Sequence, residues 1–327
     1  MAVESSLEIY KILLGDRNFE EVIREKNGIL VDDKKSQKDL FLLLFKNVLK
    51  ELTRDKVWTS IHTKLGLALF SRKGEKVNTI LTGHSDCNVI EGYVDGGLYD
   101  KMRMVAQTNK VSNREVLGRD KIVTDRYYIY MYFPIGSNVG LLFLERKKGS
   151  SIHVAVNAFI RTLLKTQGKQ VKIERFVPKT IIEQYRDESV VDSFVFSDYM
   201  LTPMLDGNGI LKEEKQIKVS IKISLADGDR PNYLSLNNIL SKLLAGANFI
   251  LGDNNKRLAD FHNKKGTLKK EEKKYIFSIE DNLKIRPAIP IKDEFQDVEK
   301  SILVREKIKE MCDDVLAQIK KEIYPIM

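Results

Sequence analysis

Cysteine is nearly missing from this chain: Cys87 and Cys312 are the two in 327 residues. They are too few for a disulfide framework and suit a reducing, cytoplasmic setting. Long apolar runs are missing as well. The most hydrophobic window, Leu40–Phe45, is flanked by Lys38, Asp39 and Lys46 and falls far short of the ~20 apolar residues a membrane-spanning helix needs. No apolar signal core stands at the N-terminus, so a soluble protein is expected. Histidine is sparse too: none of His62, His84, His153 and His262 lies in the elbow or triad context that would activate a Ser or Cys nucleophile. Neither a Gly-x-x-x-x-Gly-Lys-Ser/Thr loop nor a Rossmann glycine fingerprint occurs. The one local cluster of soft ligands, His84-Ser-Asp-Cys87, offers two ligands where a structural zinc site takes about four, and reads as a polar hairpin turn. These motifs give no reason to expect a catalytic residue, a metal or a cofactor.

Positive charge is what the chain has in excess. Fifty-five Lys and Arg against 46 Asp and Glu leave a formal charge of +9 and a pI near 9.2, the electrostatic footprint of a protein with a polyanionic partner. The excess is concentrated in two stretches. Arg146 to Lys179 carries Arg146, Lys147, Lys148, Arg161, Lys165, Lys169, Lys172, Arg175 and Lys179 against Glu174. Lys256 to Lys274 carries Lys264, Lys265, Lys269 and Lys270 among others, tempered by Asp260, Glu271 and Glu272. The bland alternatives are a solvated helix face for the first and a polar loop for the second.

Hydrophobic periodicity organises the chain around Tyr127 to Pro178. Tyr127–Phe133 and Val139–Leu144 flank a Pro-Ile-Gly-Ser-Asn turn and predict a hairpin. Ile152, Ala155, Val156, Phe159, Ile160, Leu163 and Leu164 then recur at helical spacing after a hydroxyl N-cap. Gln170–Val177 alternates like a half-buried strand. The unit reads as ββαβ. Before it come a helix over Leu40–Leu52 and a meander of short strands between Leu65 and Val105; Leu7–Leu14 is left unassigned. After it come strands at Ser193–Ser197 and Ile217–Ser224, the latter with one lysine-bearing face. A helix at Leu236–Leu244 and a long apolar-striped C-terminal helix within Asp293–Ile323 follow. The expected fold is α+β, with mostly antiparallel sheets covered by helices. Two domains are expected, 1–112 and a basic 113–327, with the polar stretch Gln107–Asp120 as linker.

One constellation admits an enzyme. Asp125, Glu145 and Lys147 imitate the two carboxylates and the lysine with which divalent-metal nucleases hold a metal and steady the attacked phosphate. With the hairpin Tyr127–Leu144, the helix from Gly149 to Arg161, the strand Val171–Val177, and the later Ile217–Ile223 strand leading to a helix that ends at Lys242-Leu-Leu-Ala-Gly246, the order of elements resembles the RexA-like sensors of phage exclusion. This resemblance is one of layout, covering about Tyr127–Leu244. It implies a two-domain, dimeric, cytoplasmic DNA binder in anti-phage defence that works with a small membrane protein. The resulting expectation is a non-enzymatic protein that grips double-stranded DNA by its phosphates. The residues expected to do so are Lys147, Lys148, Arg161, Lys165, Lys169, Lys172, Lys264, Lys265, Lys269 and Lys270. The nuclease and a plain structural or protein-interaction subunit are the alternatives. The apolar stripe Ile302, Ile308, Val315 and Ile319 suggests either core or a two-fold seam.

Overall fold

The structure is a computed structural model describing residues 5–30, 32–53, 57–60, 64–70, 80–99, 103–107, 110–119, 121–147, 151–166, 170–205, 211–225, 236–246, 248–251, 254–270, 273–279, 288–297 and 302–324. It is α+β with antiparallel sheets, as expected, and it divides into one unit of residues 1–176 plus 288–327 and a second of 177–287. None of its described helices is long and apolar enough to cross a membrane.

The first unit is built on β1 (Ser5–Leu13), β2 (Trp58–Ser60), β3 (Leu65–Ala68), β4 (Leu81–His84), β5 (Val89–Leu98), β8 (Val123–Tyr132), β9 (Val139–Lys147) and β10 (Lys172–Phe176); β6 (Arg103–Gln107) and β7 (Lys110–Leu117) pair separately as a hairpin. The main sheet runs β10-β1-β9-β8-β5-β3-β2, with β4 on β5 and the short strand Ile289–Pro290 on β1. The expected hairpin, helix and strand all form, but the third strand does not join the hairpin. β9 and β10 both pair antiparallel with β1, so the crossover helix spans a strand from the chain's beginning. The stretch left unassigned in the sequence is therefore a central strand, with Leu7, Ile9, Tyr10 and Ile12 buried.

Three helices cover one face: α1 (Phe19–Asn27), α2 (Gln37–Leu52) and α3 (His153–Leu164). Ser36 and Asp39 close a capping box at the start of α2, satisfying N–H groups the first turn leaves orphaned. At α3, Ile152 is the N-cap and makes no side-chain cap bond. The hydroxyl expected there comes from Ser151, one residue earlier, whose Oγ accepts from the His153 N–H at 3.4 Å and lies 3.0 Å from His153 Nδ1. The opposite face is covered by the C-terminal helix Arg305–Ile323, whose Ile308, Cys312, Leu316 and Ile319 are buried within this one chain. That burial corrects the seam reading: the stripe is spent on its own sheet. A buried carboxylate locks the helix down. Glu91 receives Arg305 Nη2 at 2.8 Å, Tyr128 Oη at 3.1 Å and the His84 ring at 3.1 Å. His84–Asn88 is otherwise the hairpin turn expected of it.

The boundary expected at 112/113 is also corrected. β5 pairs along its whole length with β8, Val89↔Tyr132 to Leu98↔Val123, across that point, and the expected linker contains β7. Polar composition there reflects hairpin strands outside the main sheet, not a hinge.

The second unit holds α4 (Lys179–Glu188), β11 (Val190–Leu205), β12 (Leu211–Ser224), α5 (Leu236–Gly246), a small hairpin of β13 (Asn248–Leu251) and β14 (Asn254–Arg257), then β15 (Asn263–Lys270) and β16 (Lys273–Ser278). Its sheet runs β12-β11-β15-β16. One face is core: Phe194, Phe196, Leu268 and Phe277 are buried with Leu240, Leu258 and Phe261. Gly266 is needed there, since a Cβ would lie 2.0 Å from the Phe277 ring. The lysine-rich stretch for which a polar loop was one alternative is two hydrogen-bonded strands, in which Leu268 and Phe277 point in while their neighbours Lys269 and Ile276 turn to the other face.

Candidate nucleic-acid interface

The other face of the second unit's sheet follows from the period-two rule. Strand register places Ser193, Val195, Ser197 and Tyr199 of β11 opposite Ser224, Lys222, Ser220 and Lys218 of β12. On its other edge β11 meets β15, with Ser193↔Thr267, Val195↔Lys265 and Ser197↔Asn263. Small residues therefore line the middle strand, and Ser193 and Ser197 are almost covered by their neighbours. Lysines stand on both flanking strands. Lys218, Lys222 and Lys265 are exposed, Lys269 half-buried. The result is a shallow trough with a Ser-Val-Ser floor and two lysine walls. The walls are separated by two strand spacings, about 9.6 Å, and lysines four residues apart on one wall are separated by about 13 Å.

By register this face takes basic residues along most of its length and one acid, Glu214, opposite Pro203 at the far end of β12. Asp192, which adjoins the face, is held at the bulge between Val191 and Ser193 and is met by Lys274 Nζ at 2.9 Å. Lys218, Lys222, Lys265 and Lys269 make no ion pair among the described residues. Tyr199, 52 % exposed, stands beside Lys218 at one end. At that end β11 and β12 run on together beyond β15, whose pairing with β11 stops at Ser197↔Asn263.

The ten residues expected from the sequence fare differently. Lys265 and Lys269 face the trough. Lys264 and Lys270 sit on the same strand but on the opposite side by register, and Lys270 is ion-paired with Glu188. A run of lysines in a strand is divided between two faces, which a reading that treats the run as a loop misses. Arg161 and Lys165 are exposed at the end of α3. Lys172 pairs with its neighbour Glu174 at 2.8 Å, and Lys147 Nζ lies 5.3 Å from the Tyr127 ring centre. Lys148 and Lys169 lie outside the described residues. Lys218, Lys222 and Tyr199 were missing from the expected set. The lysine alternation in Ile217–Ser224 was their signal, and it needed the β12–β11–β15 order to become a site.

The nuclease constellation has a different character. Glu145 is buried, and both of its oxygens are used: Oε1 accepts from Ser5 Oγ at 3.0 Å and Oε2 from the Tyr128 N–H at 2.8 Å. Burial raises its pKa, against the opposing pull of Lys147 and of those two hydrogen bonds. Asp125 is exposed. No group of three or more His, Cys, Asp or Glu able to hold a metal occurs among the described residues. A second buried carboxylate, Glu8, accepts from Tyr10 Oη at 2.7 Å and pairs with Arg146 and Arg175 at 3.0 and 3.3 Å. Burial works to raise its pKa, but the Tyr10 hydroxyl and the two guanidiniums outweigh it and hold the pKa below the usual value. Both carboxylates tie strands together in the interior.

Set against protein-family models, curated proteins and solved structures, the chain matches none.

Proposed function

We propose that the protein is a non-enzymatic nucleic-acid binder that holds one phosphate backbone along the β11 trough of its second unit. The observation that carries this reading is Lys222 facing Lys265 across Val195, with Lys218 further along β12 and Lys269 further along β15 on the same face of the sheet. Lysine ammoniums are compact, hydrated point charges that grip phosphate without reading bases. Sequence-independent binding with a steep salt dependence follows.

The trough's width favours one strand. Walls about 9.6 Å apart bracket a single backbone, whereas the two backbones of B-DNA flank a major groove about 12 Å wide. Tyr199 offers a base a stacking face, an interaction worth about 1–3 kcal/mol by alanine substitution. The duplex expected from the sequence is thus the second reading, favoured by the β11–β12 extension, since a two-stranded ribbon can enter a major groove. A role in phage exclusion rests on the layout resemblance alone.

Fluorescence anisotropy of the full chain with a labelled oligothymidine, and with a duplex of equal length, tests the proposal over a salt series. Tight, salt-sensitive binding of the single strand and weaker binding of the duplex are expected. The reverse order would establish the duplex reading, and no binding of either at low salt would leave the third alternative, a protein-interaction subunit.

A further inference from the structure

The first unit carries two neighbouring hollows that the trough does not explain. One, of about 380 Å³, lies among α1, α2, α3 and β2 and is walled by Trp58, Phe159 and Leu163, with Asn47 and the lysines Lys26 and Lys50 among its polar lining. Its volume falls in the range of small-molecule sites, which pair an apolar wall with a few placed polar groups. Trp58 and Phe159 pack edge to face, 5.6 Å between centres. The second hollow, of about 620 Å³, is lined by Glu25, Lys26, Lys165 and Thr166. Lys26 belongs to both.

The polar groups have fixed roles. Asn27 Nδ2 donates to the Ile23 carbonyl at 2.7 Å, so its Oδ1 is the atom that meets Asn47 Nδ2 at 3.2 Å. Asn47 must therefore present its amide nitrogen to Asn27, which leaves its own Oδ1 as an acceptor for an N–H group. Thr166 is 7 % exposed, and its hydroxyl, sealed from solvent, has no hydrogen-bond partner among the described residues. Lys26 Nζ is held at 3.2 Å from the Thr162 carbonyl, keeping its charge between the hollows.

We propose that these two hollows form one nucleotide site. The base lies against Trp58 and Phe159 with an N–H on Asn47 Oδ1, and the phosphate lies beside Lys26 and Lys165. An aromatic wall alone would take any flat ring, and a lysine pair alone any anion. Their junction at Lys26 selects a ligand that has both, joined by a short polar linker. The site lies in the first unit and is independent of the trough.

Trp58 is the chain's single tryptophan, so its emission reports on the site directly. Full-length protein is titrated with AMP, adenosine and ribose 5-phosphate, and calorimetry on the same samples catches any binding that leaves the emission unchanged. Saturable binding of AMP is expected, with each fragment weaker by about tenfold or more, adenosine through loss of the charge-assisted phosphate contact and ribose 5-phosphate through loss of the base against Trp58. Lys26→Ala and Lys165→Ala, both at exposed side chains, should reduce AMP binding to the level of adenosine while leaving the circular dichroism spectrum unchanged. The inference is overturned by no saturable response to AMP up to millimolar concentration, by equal affinity for AMP and either fragment, or by unchanged AMP binding in both folded lysine variants. It is also overturned if AMP binding disappears in a Lys218→Ala, Lys222→Ala, Lys265→Ala, Lys269→Ala variant, which would place the nucleotide on the trough.

Discussion

Removing two lysines from one strand should have opposite consequences depending on which two are removed. Lys265→Ala with Lys269→Ala strips one wall of the trough; Lys264→Ala with Lys270→Ala removes the same charge from the same strand, β15, but from the side its register turns away from the trough. Each phosphate contact on a single strand contributes about 0.7 to the slope of log K against log salt. The first pair should therefore lower the slope's magnitude by about 1.4. Between about 50 and 200 mM salt the wild type would then lose about sevenfold more affinity than this variant does. Adding Lys218→Ala and Lys222→Ala should bring the change to about 2.8, or about fiftyfold over the same range. The second pair should leave the slope where it was. Its cost falls on stability instead, through loss of the Lys270–Glu188 pair, a surface interaction worth about 0–1 kcal/mol. Anisotropy titrations at four or five salt concentrations, with urea unfolding to check the fold, decide the matter. Equal slopes for the two double variants would show that net charge, not the trough, governs binding, and the reasoning from strand register would fail.

Arg305→Ala should cost about 3 kcal/mol, because it leaves Glu91, 2 % exposed in its side chain, without its guanidinium in the interior; urea unfolding and faster amide exchange in the C-terminal helix read this out. Gly266→Ala should destabilise the second unit by about 2 kcal/mol, since its new methyl meets the Phe277 ring. Phe277→Leu in the same chain should recover part of that loss, and two purely additive costs would contradict the steric account. Glu145 and Glu8 should titrate with opposite signs. Glu145 has a folded pKa above the ordinary carboxyl value of 4.5, so it favours the fold below that value and this contribution is lost as pH rises through the folded pKa; Glu145→Gln should gain on the wild type from about pH 4 to 7. Glu8 has a folded pKa below 4.5, so its contribution is present above that value and lost as pH falls through the folded pKa. Glu8→Gln should be most costly near neutrality and level with the wild type in acid, and parallel pH curves for the two variants would count against both assignments.

Local pattern settled much of this protein before any fold was in view. The Leu40–Leu52 helix, the Tyr127–Leu144 hairpin and the period of α3 are local signals, and each forms where its residues say, because turns and amphipathic faces act over a few residues. The lysine-bearing face of Ile217–Ser224 was legible in the same way. What only the tertiary structure decided was partnership. β1 shows no clean alternation because strands flank it on both sides and its two faces are buried, so it reads as nothing in particular until β9 and β10 are placed beside it. The C-terminal stripe of Ile308, Cys312, Leu316 and Ile319 is the same sequence whether it faces a sheet or a second copy, and the nine-stranded sheet claims it. Lys264 and Lys265 are neighbours in sequence and opposites in space, since a strand turns successive side chains to opposite faces. Only the order β12-β11-β15 brings Lys222 across from Lys265 and sets Lys218 and Lys269 on the same face, joining two segments some forty residues apart.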